Sequence, residues 1–336
     1  MISPSFCPTE TLQISSHENL RMVIYVIGCP IQGEMIMTVL MDQDEVKYSV
    51  LTDCYLVSRR HAHVFANWCR SIGVHRFNAI ILTHPDVDHC CGINHLVDEM
   101  DAKREAKLFL PAQIMTVMKI STDKVLSPMK TLLSKYSVKN KTLYLQSFSK
   151  LRSPIMLEIR FQAALQREST MTFIQMGTDD EFLFYQNLTE SKASHNDLSM
   201  VYTINYNDQN YLYCADMPGK YVNELDEEYL HNVRFVKIPH HGSTDCIGLS
   251  SQLMKNGETS VISSSTVYHK LQDSCKLPKK EVMQKYKLLG TAYCTGPKTE
   301  PMPLKTYRYG GIKINYSLSN GELYEKPICQ GNAYQY

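Results

Sequence analysis

Apolar and polar positions alternate in blocks along this chain, and the blocks sort into strands and helices. Residues 21–28 (RMVIYVIG) and 34–41 (EMIMTVLM) are β-rich runs joined by a short turn that holds Pro30 and Gly33. A third run, 47–53, ends in Asp53 and completes a β-meander. Between 58 and 71 the apolar residues Ala62, Phe65, Ala66 and Cys69 recur at helical spacing. The segment 78–84 (NAIILTH) is a short continuous apolar run of the kind a buried strand shows.

The same logic predicts a helix over 92–100, a strand at 108–111 and a helix at 112–120. The stretch 121–190 is the least readable, with strand-like pieces at 142–146 and 155–161. Two apolar runs, 198–206 and 209–216, flank a turn rich in Asn and Asp and read as a hairpin. A helix at 219–231 and a strand at 233–239 follow. The remainder alternates: helix near 248–255, strand at 260–264, helix at 279–289, strands near 291–295 and 311–318. A pair of sheets with helices outside is the economical reading, an α/β (α+β) fold. Residues 1–20 are an N-terminal extension in this scheme, 21–320 one domain with 121–190 as an insert, and 321–336 a C-terminal tail.

Composition changes little. At 336 residues, 43% hydrophobic and 21% charged, the chain is long enough for one large domain with a substantial core. A net charge of +1 leaves electrostatic steering to local clusters. The 11 cysteines are scattered without a C-x-x-C spacing, which fits reduced thiols better than a disulfide framework. Residues 1–20 lack a basic stretch followed by an apolar run, and no segment has the roughly 18 apolar residues of a membrane span. A cytoplasmic protein with no membrane partner is expected; its protein partners are not legible.

The chemistry concentrates at strand ends. Thr83-His84-Pro85-Asp86-Val87-Asp88-His89 places four metal-competent side chains, His84, Asp86, Asp88 and His89, directly after a buried strand. Imidazole and carboxylate donors without thiolate suit zinc, manganese or iron(II). A surface polar loop with chance histidines is the bland alternative. Asp216 ends the YLYCAD run, where a carboxylate can bridge two ions or simply cap the next helix. His240-His241-Gly242-Ser243 again comes after an apolar strand, so that one histidine can ligate while the other orients or meets substrate.

These residues resemble the metallo-β-lactamase superfamily, over roughly residues 21–318. Its H-x-[HD]-x-D-H motif matches His84, Asp86, Asp88 and His89; Asp216 matches the bridging aspartate, His240 the late histidine ligand, and Asp53 an acidic residue that supports the site from behind. The resemblance implies a four-layer αββα sandwich with the site at one edge of the two sheets, and two ions, Zn2+ or Mn2+. Within the superfamily the chain is most similar to the ComEC-type hydrolase domain. T-H-P-D-x-D-H stands here as Thr83 to His89, N-x-x-S as Asn196 and Ser199, and K-x-P-H-H-G-S as Lys237 to Ser243. Two departures are visible: His195-Asn196 is the nearest match to a histidine many members place before the bridging aspartate. A late G-H-P-H is replaced by Ser274-Cys275-Lys276-Leu277-Pro278, with His269 a few residues earlier.

The resemblance implies phosphodiester hydrolysis, of DNA or another phosphodiester, by a metal-activated hydroxide. Asp88 and Asp216 would orient the attacking water, and His241 or His269 would protonate the leaving group. Lys130, Lys135, Lys139 and Lys141, with Lys150 and Arg152, lie in a stretch (129–152) without an acidic residue, and are the candidate contacts to a nucleic-acid substrate. Tyr136 and Tyr144 interleave with them as candidate stacking platforms. A second basic cluster spans Lys270 to Lys287; either is equally well a solvated face. Two other functions stay open: hydrolysis of a small molecule (cyclic nucleotide, lactone or thioester), and a non-catalytic scaffold that keeps the fold.

Overall fold

The computed structural model describes residues 7–28, 32–111, 127–137, 143–146, 154–164, 166–177, 195–269, 276–296 and 309–336. Two large mixed sheets dominate them. The first runs in the order β18 (Leu323–Gln330), β17 (Gly310–Ser317), β2 (Leu20–Gly28), β3 (Glu34–Asp42), β4 (Glu45–Thr52), β5 (Ala79–Ile81), β6 (Lys107–Pro111) and β7 (Leu143–Gln146). The second runs β1 (Thr9–Gln13), β8 (Ile155–Gln162), β9 (Ser169–Gly177), β10 (Val201–Tyr206), β11 (Gln209–Tyr213), β12 (Val233–Lys237), β13 (Val261–Ser265), β16 (Gly290–Cys294) and β19 (Tyr334–Gln335). A short pair, β14 (Tyr268–His269) with β15 (Lys276–Leu277), stands apart. No helix among the described residues is long and apolar enough to cross a membrane.

Side-chain alternation explains how the sheets pack. In β2, Met22, Ile24 and Val26 join a core shared with Tyr202, Ile204, Tyr211, Tyr213 and Phe235 of the second sheet. The residue between, Val23, turns to the opposite face, against Ala62, Phe65, Ala66 and Cys69 of α1 (Arg59–Ser71). The helix α3 (Ile93–Met100) and the helix α4 (Ser127–Ser137) complete that cluster. On the outer face of the second sheet, Leu212, Cys214 and Val236 meet Leu249 and Leu253 of α5 (Ile247–Lys255) and Val282, Met283 and Tyr286 of α6 (Lys280–Lys287).

Most elements fall where the apolar pattern puts them. The expected helix at 219–231 is instead two 3₁₀ turns, Gly219–Glu224 and Glu227–Leu230, because Asp226 accepts from the Glu228 amide and starts a new turn. Residues 9–13 and 323–330, outside the span read as the domain, are strands of the two sheets. The expected helix at 112–120 lies outside the described residues.

Three expectations about the basic stretch are corrected or bounded. Tyr136 is fully buried, its hydroxyl 2.5 Å from Asp101, so it is core and cannot stack on a base. Tyr144 stacks on Phe109 of the inter-sheet core, with ring centroids 5.0 Å apart. Lys135 pairs with Asp98 of α3 at 2.8 Å, and Lys130 is exposed on the same helix. Lys139, Lys141, Lys150, Arg152 and Lys270 lie outside the described residues. The described cysteines are free thiols, among them the buried Cys54, Cys69, Cys90, Cys214, Cys246 and Cys294.

Candidate metal centre

The cluster forms where parallel strands of both sheets end. β4 and β5 run parallel, as do β11, β12 and β13, so the loops that leave them emerge on one side of their sheets. The two sheets meet there through the Met200 amide, which donates to the Thr83 carbonyl at 3.0 Å. Asp53 directly succeeds β4, and its carboxylate reaches across to accept from the Thr83 amide (2.8 Å) and the Thr83 hydroxyl (2.7 Å). This pins the start of the His84 loop.

The loop then makes one helical turn, α2 (Val87–Cys90), which lifts Asp88 and His89 inward. Asp86 occupies the N-cap but makes no side-chain capping bond. Its carboxylate instead meets His195 Nδ1 at 2.6 Å and lies 3.9 Å from His84 Nε2. Gly92 closes the turn with φ 82°, where a Cβ would lie 2.3 Å from the Leu56 carbonyl. The segment Cys54–Leu56 holds the turn from outside, through amides that donate to the His89 and Cys91 carbonyls.

Three imidazoles share one arrangement. His84, His89 and His241 are all buried, and in each Nδ1 faces protein: Thr83 Oγ1 at 3.0 Å, Asp53 Oδ2 at 2.7 Å and Thr266 Oγ1 at 2.7 Å respectively. The Nε2 atoms of His89 and His241 look toward Asp216, that of His241 also toward Asp88, while His84 Nε2 has Asp86 as its nearest carboxylate at 3.9 Å. His241 Nε2 lies 3.2 Å from Asp88 Oδ2 and 3.3 Å from Asp216 Oδ2; His89 Nε2 lies 3.3 Å from Asp216 Oδ1. His84 Nε2, His89 Nε2 and Asp216 Oδ1 are buried without a hydrogen-bond partner. Buried polar atoms left without a hydrogen-bond partner are costly unless something else satisfies them. One donor atom each from Glu34, His89, Asp216 and His241 lie within 4.8 Å of one another, as do those of Asp53, His84 and His89. A divalent ion fits this donor set.

Electrostatics agree. Burial, with His89 alongside, pushes the His84 imidazole below its ordinary range, so it is neutral. Burial also opposes charge on His241, but Asp216 and Asp88 outweigh it and raise its pKa to about 9. His89, between Asp216 and Asp53, is likewise raised despite burial. Burial opposes ionisation of Asp88 and Asp216 in turn, and the facing imidazoles hold both below the usual carboxylate range. Protons here stand where a cation's charge would stand. Backbone strain marks the same place: among the described non-glycine residues with positive φ are Asp53, Ala215, His240 and His241, at 55°, 45°, 45° and 50°.

The two adjacent histidines divide differently from the sequence reading. His241, expected as a proton donor, is inside the cluster with both ring nitrogens engaged. His240, expected as the ligand, is on the rim: its Nε2 accepts from Asn196 Nδ2 at 3.1 Å and its Nδ1 lies 3.8 Å from Asp245. That imidazole holds the Asp245 carboxyl below its ordinary range. Ser199 is buried under the Asn196 turn and Ser243 is half-buried beside His240, its amide donating to the His240 carbonyl. His269 ends β14, with its side chain outside the described residues; its neighbour Tyr268 stacks on His241 at 5.2 Å. Among the described contacts, none brings Lys130 or Lys135 to the cluster.

Glu34 and Thr266, both touching this network, carried no signal in the sequence. A glutamate opening a strand after Gly33 reads as turn polarity, and a threonine after a serine run reads as strand. Only their meeting with Lys237 and His241 gives them meaning.

No known protein-family model matches the chain, and none of the curated proteins matches it. Among solved structures it is similar to a protein of Parabacteroides distasonis ATCC 8503 provisionally named a metal-dependent hydrolase. The two share 11% identity at a TM-score of 0.34, over 76% of this chain and 89% of that one.

Proposed function

We propose that this chain is a metal-dependent hydrolase of the metallo-β-lactamase superfamily, with a ComEC-like site that cleaves phosphodiesters. The observation that carries the reading is the set of three buried imidazoles, each held at Nδ1, with Nε2 of His241 facing Asp88 and Asp216, Nε2 of His89 facing Asp216 and Nε2 of His84 near Asp86. The sheet pair with helices on both outer faces supports the four-layer αββα arrangement. His84, His89, His241, Asp88 and Asp216 would hold zinc or manganese, with Asp86 beside them. Such an ion, when bound, supplies Lewis acidity to a phosphoryl oxygen and makes water a competent nucleophile near neutral pH.

The protein's own groups divide the remaining work. The exposed rim, with Asp86 and His195 about a third exposed and His240 similarly so, is the side from which substrate reaches the cluster. Because Asn196 donates to His240 Nε2, the His240 proton sits on Nδ1, toward Asp245. His195 on the rim, rather than the enclosed His241, is the group placed to hand a proton to a leaving oxygen. Asp88 and Asp216 orient the attacking water.

A smaller phosphodiester, such as a cyclic nucleotide, is the second reading. The burial of Tyr136 and the pairing of Lys135 with Asp98 favour it, since they remove support for a stacking, basic nucleic-acid track. The test is a panel of plasmid, single-stranded DNA and cyclic nucleotides with zinc or manganese. Hydrolysis of at least one, falling about 10²–10⁴-fold in Asp88→Asn with the fold retained, is expected. No turnover of any phosphodiester by a metal-loaded protein would refute the proposal.

A further inference from the structure

Glu34 lies among the atoms that could surround an ion, yet its position is on the far side of His241. Its nearest approach to that ring is to Nδ1, at 4.0 Å, not to Nε2. Its Oε2 already accepts from two donors, Lys237 Nζ at 2.5 Å and Thr266 Oγ1 at 3.0 Å. Lys237 is fully buried, and its ammonium also donates to the Ile238 carbonyl at 2.9 Å. Burial works against that charge and the Glu34 carboxylate outweighs it. The lysine of K-x-P-H-H-G-S therefore faces inward and meets no substrate.

These contacts set the direction of the protons. A threonine hydroxyl has one hydrogen, and Thr266 gives it to the Glu34 carboxylate. The contact between Thr266 Oγ1 and His241 Nδ1, 2.7 Å long, then requires Nδ1–H to be the donor. His241 Nε2 is left as the atom with a lone pair when the ring is neutral. The other side of the cluster repeats the device: Thr83 Oγ1 donates to Asp53 Oδ2 and receives His84 Nδ1 at 3.0 Å. The Asp53–Thr83 pair joins two loops of the first sheet, whereas the Glu34–Thr266 pair joins the first sheet to the second.

We infer that Lys237, Glu34 and Thr266 form a buried relay that fixes the His241 tautomer and aims its Nε2 at the ion, making Glu34 a positioning residue and not a ligand. The inference rests on the cluster being a metal site. Groups of this kind tune affinity without touching the metal.

The test uses the full chain, metal-free, with Thr266→Val, which keeps shape and removes the hydroxyl, and Thr266→Ser, which restores it. Zinc affinity is measured by competition with a chelating dye, and the His241 Nδ1–H signal by nitrogen-15 NMR, assigned by its absence in His241→Gln. Thr266→Val is expected to bind zinc about 10–100-fold more weakly and to lose the protected Nδ1–H signal, with both restored in Thr266→Ser. Should the valine variant fold poorly, the paired E34L/K237M change, which leaves neither a lone buried charge nor an acceptor for the Thr266 hydroxyl, is expected to give the same two losses. Wild-type affinity and an intact signal in Thr266→Val overturn the relay while leaving the metal site standing. If the wild type takes up no zinc, the metal reading fails; loss of the Nδ1–H signal in Thr266→Val then still supports the tautomer relay, and its persistence refutes it.

Discussion

At the scale of single residues, the cluster binds charges to one another when no cation is present, and this has a pH signature. The His241 pKa is raised to about 9 in the fold; unfolded it returns to about 6.5. Its protonation therefore stabilises the metal-free protein fully below about pH 6.5, and that stabilisation is lost as pH rises through about 9. The melting temperature of metal-free protein is expected to fall across that window, and the fall to be smaller in His241→Gln, where only His89 still gains a proton on folding. A flat profile in the wild type would show that the imidazolium–carboxylate contacts carry no weight. Asp101 offers a test away from the site. It accepts from the Glu105 and Ala106 amides as well as from Tyr136, so Tyr136→Phe should cost only about 1 kcal/mol in denaturant unfolding and leave DNA affinity unchanged. A large loss of DNA binding would restore the stacking role that burial denies.

At the scale of elements, the His84 loop depends on one turn and one glycine. At Gly92 the φ of 82° and the Leu56 carbonyl, 2.3 Å from an added Cβ, both exclude a side chain. Gly92→Ala is expected to cost at least about 1–3 kcal/mol and to weaken metal uptake, because Cys54 and Leu56 would be pushed from the turn they hold. Unchanged uptake would mean that the turn adapts. The elements carrying this loop were legible in the sequence: the apolar run before His84, the meander ending at Asp53 and the helix bearing Ala62 and Phe65 all reflect burial period. Strand β18 was not, because only an edge strand with solvent on one face tolerates Glu325, Lys326 and Pro327 in succession. The helix expected at 219–231 failed for a local reason, the Asp226 cap, which competes with the apolar period.

At the scale of the whole molecule, the site exists because two sheets are held in a fixed relation. Two buried hydroxyl pairs cross the space between them: Thr38 with Tyr213 at 2.7 Å and Thr52 with Tyr202 at 2.6 Å. Tyr213→Phe leaves the Thr38 hydroxyl without its partner and is expected to cost about 1–3 kcal/mol, read as a lower denaturant midpoint, with metal content preserved. Such pairings join residues far apart in the chain and leave no sequence pattern. The same limit applies to the centre. His84, Asp86, Asp88, His89 and Asp216 stand out in the sequence because they follow strand ends, whereas which of His240 and His241 turns inward goes with backbone φ angles of 45° and 50° that no sequence pattern announces. Glu34 reaches the cluster only because the first sheet packs over the second.

The most direct measurement is elemental analysis of the purified protein after dialysis against zinc or manganese, beside a His84→Gln/Asp88→Asn variant checked for folding. At least one equivalent per wild-type chain, lost in the variant, is the predicted result. A folded wild type that retains no ion would contradict the account and leave a scaffold whose buried histidines serve the fold alone.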